Sequence, residues 1–411
     1  MKRAARLQIK QGNDRSNVFP RWFAEPAGGH ASRPGKTRCF GIREFSAIAV
    51  AILLILGVSP LNAADECHEG CVSQAQIEGP AQLAGAMKAV GWAVGGVSTD
   101  GYGTILHTTN GGQTWVRQGI QDAIADLPLN GVAAVDAREA WVVGGSLILH
   151  TRDGGQTWCR EANDTSLTGT ELLAVSAVDI YTAWAVGGDG VIVRTTNGGC
   201  TWERQGAGQI PAVPLNGVYA SDASHVWIVG TEENGNEYGT ILRTTDGGET
   251  WTKVPYKITH TPAPTDYYLI TVDGANANEV WAVGHDQIMH ISVTRKGVTV
   301  SDQTPAFSNY MDINGVFALT SRSIWAVADA SNIWRSDNGG KTWTLRNKGQ
   351  YDHGYILRVS AVDGQHAWAT VASQTTGPGQ VISTSNGGKS WAAQTIPAQP
   401  VGGMWGISFV K

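Results

Sequence analysis

The chain has 411 residues with 52 Gly and 16 Trp, only 16% of its residues are charged, and its formal net charge is −5. This composition excludes disordered and coiled-coil chains, which are rich in charge and poor in Trp, and collagen, which needs about one Gly in three. A globular fold remains, and a length prior of roughly 150 residues per domain holds only if the chain is not built from repeats.

Residues 1–64 differ from the rest, with ten basic residues from Lys2 to Arg43 against Asp14, Glu25 and Glu44, a net charge of +7. An apolar run from Ala47 to Val58 follows, then Ser59-Pro60-Leu61-Asn62-Ala63-Ala64 and the polar Asp65-Glu66-Cys67. This reads as a secretory signal cleaved near Ala63 or Ala64. The run is shorter than the about 20 residues that a spanning helix needs, so an uncleaved anchor is the weaker reading. Without the leader, 20 basic and 32 acidic residues leave a net charge of −12, which argues against a nucleic-acid partner.

Residues 65–85 read as a lead-in containing Cys67 and Cys71, which are placed to close a small ring. Their CHEGC spacing lacks the CxxCH of haem attachment, and zinc would need two further ligands that nothing supplies, so no metal or cofactor is expected. With Cys159 and Cys200, four cysteines remain after cleavage, an even count compatible with two disulfides in an exported chain.

From about residue 90 onward two motifs alternate. A W-[AVI]-V-G type strand recurs at Trp92, Trp141, Trp184, Trp227, Trp281, Trp325 and Trp368, so seven units are expected. A second motif ends at Trp115, Trp158, Trp202, Trp251, Trp343 and Trp391, as in HTTNGGQTW, and the fifth unit keeps only a decayed version around Arg295-Lys296-Gly297-Val298-Thr299. Five residues before the strand Trp sits a short-turn residue, Asp136, Asp179, Asp222, Asn276 or Asp363, with Thr320 the exception. Each unit therefore reads as four strands, and four strands per 40 to 50 residues predict an all-β, seven-bladed β-propeller over residues 86–411.

Alternation along WAVG puts Trp and Val on one sheet face and Ala and Gly on the other, so the bulky face of one blade should nest on the flat face of the next. The Asn/Asp-Gly-Gly core of the second motif predicts a hairpin whose glycines take positive φ while Asn110, Asp153, Asn197, Asp246, Asn338 or Asn386 accepts backbone N–H groups across the turn. An open ring would expose sheet edges. The C-terminal MWGISFV, Met404 to Val410, resembles the strand that opens other blades and is expected to complete the first blade.

The [ST]-x-[DN]-G-G-x-[ST]-W box resembles the Asp-box, or BNR repeat, of sialidases, xyloglucan-active endoglucanases and photosystem II stability/assembly factors. Its pairing with LNGV-x-A-x-D and WAVG strands behind an export signal is most similar to the photosystem II assembly-factor-like family. The resemblance implies an exported propeller, in a periplasm or thylakoid lumen, that binds a membrane-associated protein or its precursor during assembly, without catalysis. The acidic mature charge departs from a family that docks through a basic patch, although Arg335, Lys341, Arg346, Lys348 and Arg358 gather in the last two blades.

The Asp-box residues each cap their own turn, so they are structural. His107 and His150, at the positions where other blades carry Arg194, Arg243 and Arg335, read as solvated strand residues. The rival reading is a carbohydrate-active protein, either a hydrolase or a lectin-like binder. A glycosidase needs two carboxylates about 5 to 10 Å apart, and a sialidase also needs an arginine cluster. The arginines here mostly precede Asp-boxes, at the wrong end of the blade for a central pocket, and no FRIP-type segment is present. Recognition is expected instead on the inter-blade connections, where His260, Tyr267, Tyr268, Tyr310, Tyr351, His353 and Tyr355 should share one face. Cys159 and Cys200 should lie near one rim, within reach of a bridge between adjacent blades. The propeller is expected to be monomeric.

Overall fold

The computed structural model describes residues 71–73, 89–98, 101–118, 127–161, 167, 169–231, 239–259, 268–305, 311–347, 354–373, 379–397 and 403–410. The expected leader, residues 1–64, lies outside them.

The strands run in chain order as follows. First come β1 (Cys71–Ser73), β2 (Val90–Gly95), β3 (Thr104–Thr108) and β4 (Val116–Gln118). The second blade has β5 (Gly131–Ala134), β6 (Ala140–Gly144), β7 (Leu147–Thr151) and β8 (Thr157–Glu161). The third has β9 (Leu172–Ala177), β10 (Ala183–Gly187), β11 (Ile192–Thr195) and β12 (Glu203–Arg204). The fourth has β13 (Leu215–Ala220), β14 (Val226–Gly230), β15 (Thr240–Thr244) and β16 (Thr252–Lys253). The fifth has β17 (Leu269–Asn276), β18 (Glu279–Gly284), β19 (Gln287–Thr294) and β20 (Gly297–Asp302). The sixth has β21 (Ile313–Ala318), β22 (Ile324–Ala328), β23 (Ile333–Ser336) and β24 (Thr344–Leu345). The seventh has β25 (Gly354–Ala361), β26 (Ala367–Ser373), β27 (Gln380–Thr384) and β28 (Ala392–Ala393), and β29 (Met404–Val410) ends the chain.

These strands form seven antiparallel sheets. Strand β29 pairs with β2 from Val90↔Val410 to Gly95↔Met404, so the first blade is built from both ends of the ring and its order is β29-β2-β3-β4. The ring closes as the sequence predicts. The second blade has a fifth strand, because β1 adds to the outer edge of β8 with Cys71 opposite Cys159.

Burial explains the WAVG pattern. In the second blade, Trp141 and Val143 pack on Ala183 and Ala185 of the third, and in the sixth, Trp325 and Val327 pack on Ala367 and Ala369 of the seventh. Each of the seven clusters lies at one blade interface and contains one of the strand tryptophans, all essentially fully buried. An indole of roughly 200 Å² at about 25 cal/mol per Å² contributes several kcal/mol per interface.

Polar bonds along the innermost strands join blades as well. Nδ2 of Asn130, Asn216 and Asn314 donates to the carbonyls of Leu172, Leu269 and Ile356 in the following blades, at 2.8, 2.8 and 3.1 Å. Oγ of Ser176, Ser360 and Ser408 accepts the N–H of Ala220, Phe409 and Ala134. The fifth blade has Asp273 in this role, accepting the Ala318 N–H at 2.7 Å.

Candidate functional site

The antiparallel order fixes what each face carries. On the upper face, inner strands begin and the hairpins between second and third strands turn; on the lower face lie the Asp-boxes and the turns between first and second strands.

The six Asp-boxes share one geometry. In the fourth blade Asp246 Oδ1 accepts the Thr250 N–H at 3.0 Å, Thr244 Oγ1 donates to Asp246 at 2.7 Å, and Thr244 Oγ1 accepts the Gly248 N–H at 2.9 Å. Asn110, Asp153, Asn197, Asn338 and Asn386 make the same contact to Thr114, Thr157, Thr201, Thr342 and Ser390. The second glycine must be Gly: at Gly388, with φ +84, a Cβ would meet the Trp325 ring at 2.8 Å. Every bond that defines these side chains stays within its own turn. The turn residues before each strand Trp act alike, and Thr320 does what the aspartates do, its Oγ1 accepting the N–H of Arg322 and Ser323.

The expectation that His107 and His150 are solvated fails. His107 stacks on Trp92 and His150 on Trp141, with centroids 4.5 and 3.6 Å apart, because strand register sets each opposite its tryptophan. His150 is buried with Nε2 2.7 Å from Glu139, and burial pulls His107 down to about 4. Arg194, Arg243 and Arg335 hold the same position over Trp184, Trp227 and Trp325. Arg194 and Arg335 also donate to Gly247 and Gly364 in the next blade. These residues lock blades together.

The basic cluster read from the sequence also divides. Arg335 and Arg346 pair with Asp337 on the lower side, whereas Arg358 stands on the innermost strand β25, where its Nη1 donates to the carbonyls of Asn314 and Leu357 and burial pulls the guanidinium down to about 10. Lys348 lies outside the described residues.

The upper face of the fifth to seventh blades carries a polar network away from the boxes. Tyr268, just before β17, donates its hydroxyl to Asp312 Oδ1 at 2.7 Å. His285, in the turn after β18, brings Nδ1 to the same oxygen at 2.6 Å, and its ring stacks on Tyr268 with centroids 5.4 Å apart. Asp286 takes φ +52, accepts the Met311 N–H and donates its own to Met311, so the hairpin of the fifth blade clamps the strand leading into the sixth. Asn314 Nδ2 donates to Asp329 Oδ1 at 2.8 Å, and burial, reinforced by the Asp312 charge, raises the Asp329 carboxyl to about 6. Ser331 donates both N–H and Oγ–H to the Gly354 carbonyl, beside the exposed Tyr355.

Two of the seven expected partner-binding residues, Tyr268 and Tyr355, are thus placed on the upper face, in blades flanking the sixth. His260, Tyr267, Tyr310, Tyr351 and His353 lie outside the described residues. His285, Asp312 and Asp329 were not singled out from the sequence; the only signal was their place just after a WAVG-type strand or just before an LNGV-type one. Among the described residues no group of three or more His, Cys, Asp or Glu is arranged to hold a metal ion. Cys159 and Cys200 are both disulfide-bonded; Cys67 lies outside the described residues.

Solved structures share this fold. The structure of YCF48 bound to D1 peptide has 19% identity and a TM-score of 0.55, covering 70% of this chain and 86% of its own. YCF48 from Cyanidioschyzon merolae has 18% identity and a TM-score of 0.51, covering 72% and 95%. The GH74 xyloglucanase from Xanthomonas campestris has 14% identity and a TM-score of 0.50, covering 77% of this chain and 54% of its own. No curated protein matches the chain by sequence. The model of the family described as photosynthesis system II assembly factor YCF48 matches residues 80–215 and 209–344. The chain, with its seven antiparallel blades and its first blade closed by β29, belongs to the YCF48 assembly-factor family.

Proposed function

We propose that the protein is an exported, non-catalytic propeller that binds a membrane-associated protein, or its precursor, and assists its assembly. The match to the YCF48 family model over residues 80–344 carries this reading. A YCF48 structure with a D1 peptide bound supports a polypeptide client. Export is supported by the basic leader, its apolar run and the small residues at Ala63-Ala64, and agrees with the disulfide-bonded Cys159 and Cys200.

The client surface in this reading is the upper face from the fifth to the seventh blade. Tyr268 and His285 offer stacked rings beside Asp312, and Tyr355 is 39% exposed, so apolar area sits next to fixed polar groups. The carbohydrate-active alternative rests on the shared fold of the GH74 enzyme. It needs carboxylates free for acid and base work, whereas Asp312 is held by Tyr268 and His285, and Asp329 by Asn314.

A photo-crosslinking residue placed at Tyr355 in intact cells, followed by mass spectrometry, tests the proposal. A membrane or envelope protein should be recovered, and the yield should fall when Asp312→Asn is added. Recovery of none, or turnover of a glycan that Asp312→Asn abolishes, would overturn it.

A further inference from the structure

Strand β20 is unlike the outer strand of every other blade. Strands β4, β12, β16, β24 and β28 have two or three residues and present little edge. Strand β8 has five, and β1 already covers its edge. Strand β20 has six, runs against β19 without a register shift from Met289↔Asp302 to Thr294↔Gly297, and among the described residues no strand pairs with its other edge. It arises where the Asp-box of the fifth blade has decayed into a two-residue turn, Arg295-Lys296. Nothing from Gly297 to Ser301 blunts it, neither proline, bulge nor charge, although natural edges of this length are normally protected.

The backbone parity of this edge follows from its hydrogen bonds. Gln303 donates its N–H to the Ile288 carbonyl, so alternate residues 301, 299 and 297 also face β19. The N–H and C=O groups of Val298, Val300 and Asp302 therefore point away from the blade.

We propose that β20 pairs with β20 of a second copy of this chain, antiparallel, about a two-fold axis through Thr299. In that register the outward groups of Val298 meet those of Val300 of the second copy, giving about four inter-chain backbone hydrogen bonds. Lys296 stands opposite Asp302 of the second copy, and the symmetry repeats this pair. The charges favour the arrangement, because Arg295 and Lys296 lie at one end of the strand and Asp302 at the other, so only antiparallel pairing sets unlike charges together. The contact is isologous and closes as a dimer, so it does not propagate into a filament. The internal precedent is β1, which shows a blade of this propeller accepting an additional antiparallel strand on a long outer edge.

The full chain carrying Thr299→Cys tests the register, since the two Thr299 positions form a non-hydrogen-bonded pair about 4.5 Å apart at Cα, within disulfide range. Mild oxidation should give a covalent dimer, and Val300→Pro on the same background should abolish it. That proline removes an outward N–H and leaves the bonds to β19 in place. Analytical ultracentrifugation of the protein without the cysteine should show a dimer whose dissociation constant rises about tenfold in Lys296→Glu. A monomer that forms no crosslink, a dimer indifferent to Val300→Pro, or a monomer whose β20 instead binds an extended segment of another protein would overturn the proposal.

Discussion

Trp368 donates its indole N–H to the carbonyl of Gly111 at 2.9 Å, joining the seventh blade to the Asp-box of the first across 257 positions of sequence. The same indole stacks on Phe409 of β29, centroids 3.9 Å apart. One side chain thus holds the last blade, the first box and the closing strand. Trp368→Ala is expected to cost about 3–5 kcal/mol and Trp368→Phe about 1 kcal/mol, the second reporting the hydrogen bond with most of the packing kept. Urea unfolding of the three proteins checks this, and equal losses in both variants would show that the bond, rather than the ring, dominates.

Within an Asp-box the threonine matters as much as the aspartate. Thr244 Oγ1 accepts the buried Gly248 N–H at 2.9 Å, so Thr244→Val keeps the shape and leaves that donor without a partner. A loss of about 1–3 kcal/mol is expected, measured as a shift in the denaturant midpoint at unchanged slope.

Asp273 gives the stability a pH dependence. Burial raises its carboxyl to about 7 although the Ala318 N–H favours the anion. The native state therefore holds a proton that the unfolded chain has released, and stability falls as pH rises from about 4 to 7, by roughly 4 kcal/mol at most. His107, lowered to about 4 by burial, acts in the opposite sense: the unfolded chain takes up the proton first, so its contribution is lost as pH falls from about 6.5 to 4. Thermal melts at pH 5 and pH 8 should show Asp273→Asn gaining on the wild type at pH 8 and much less at pH 5. A variant whose advantage is equal at both values would place the Asp273 pKa near that of an ordinary carboxylate.

Asp312 joins two blades through Tyr268 and His285, so Asp312→Asn should weaken client recovery more than it weakens the fold. The expected stability loss is about 1–2 kcal/mol, from weaker hydrogen bonds in a half-buried site. Parallel crosslinking yields and melting curves separate the two effects, and a yield that falls only in step with unfolding would assign Asp312 a structural role.

Reduction should destabilise the propeller, since Cys159 follows the buried Trp158 and Cys200 sits in an Asp-box turn, and both are disulfide-bonded. A loss of about 2–4 kcal/mol is expected on adding dithiothreitol. A peptide map under non-reducing conditions will show whether the two are bridged to each other or to the N-terminal cysteines.

The sequence by itself determined the ring. Trp spacing, box spacing and the orphan MWGISFV strand each follow from local rules, alternation along a strand and turn chemistry between strands, and such rules act on neighbours in the chain. The tertiary structure decided what distant residues do to one another. His107 and His150 look like solvated strand positions until cross-strand register lays them on Trp92 and Trp141. Arg335 and Arg358 look like one basic patch until alternation sends the first to the lower side and the second to the innermost strand. His285 and Asp312 are 27 positions apart and carry no motif; only the approach of a hairpin in one blade to the leading strand of the next brings them to 2.6 Å. The same holds for charge, since a net value counts residues without placing them, while burial and hydrogen-bond partners fix which of those charges reach the surface.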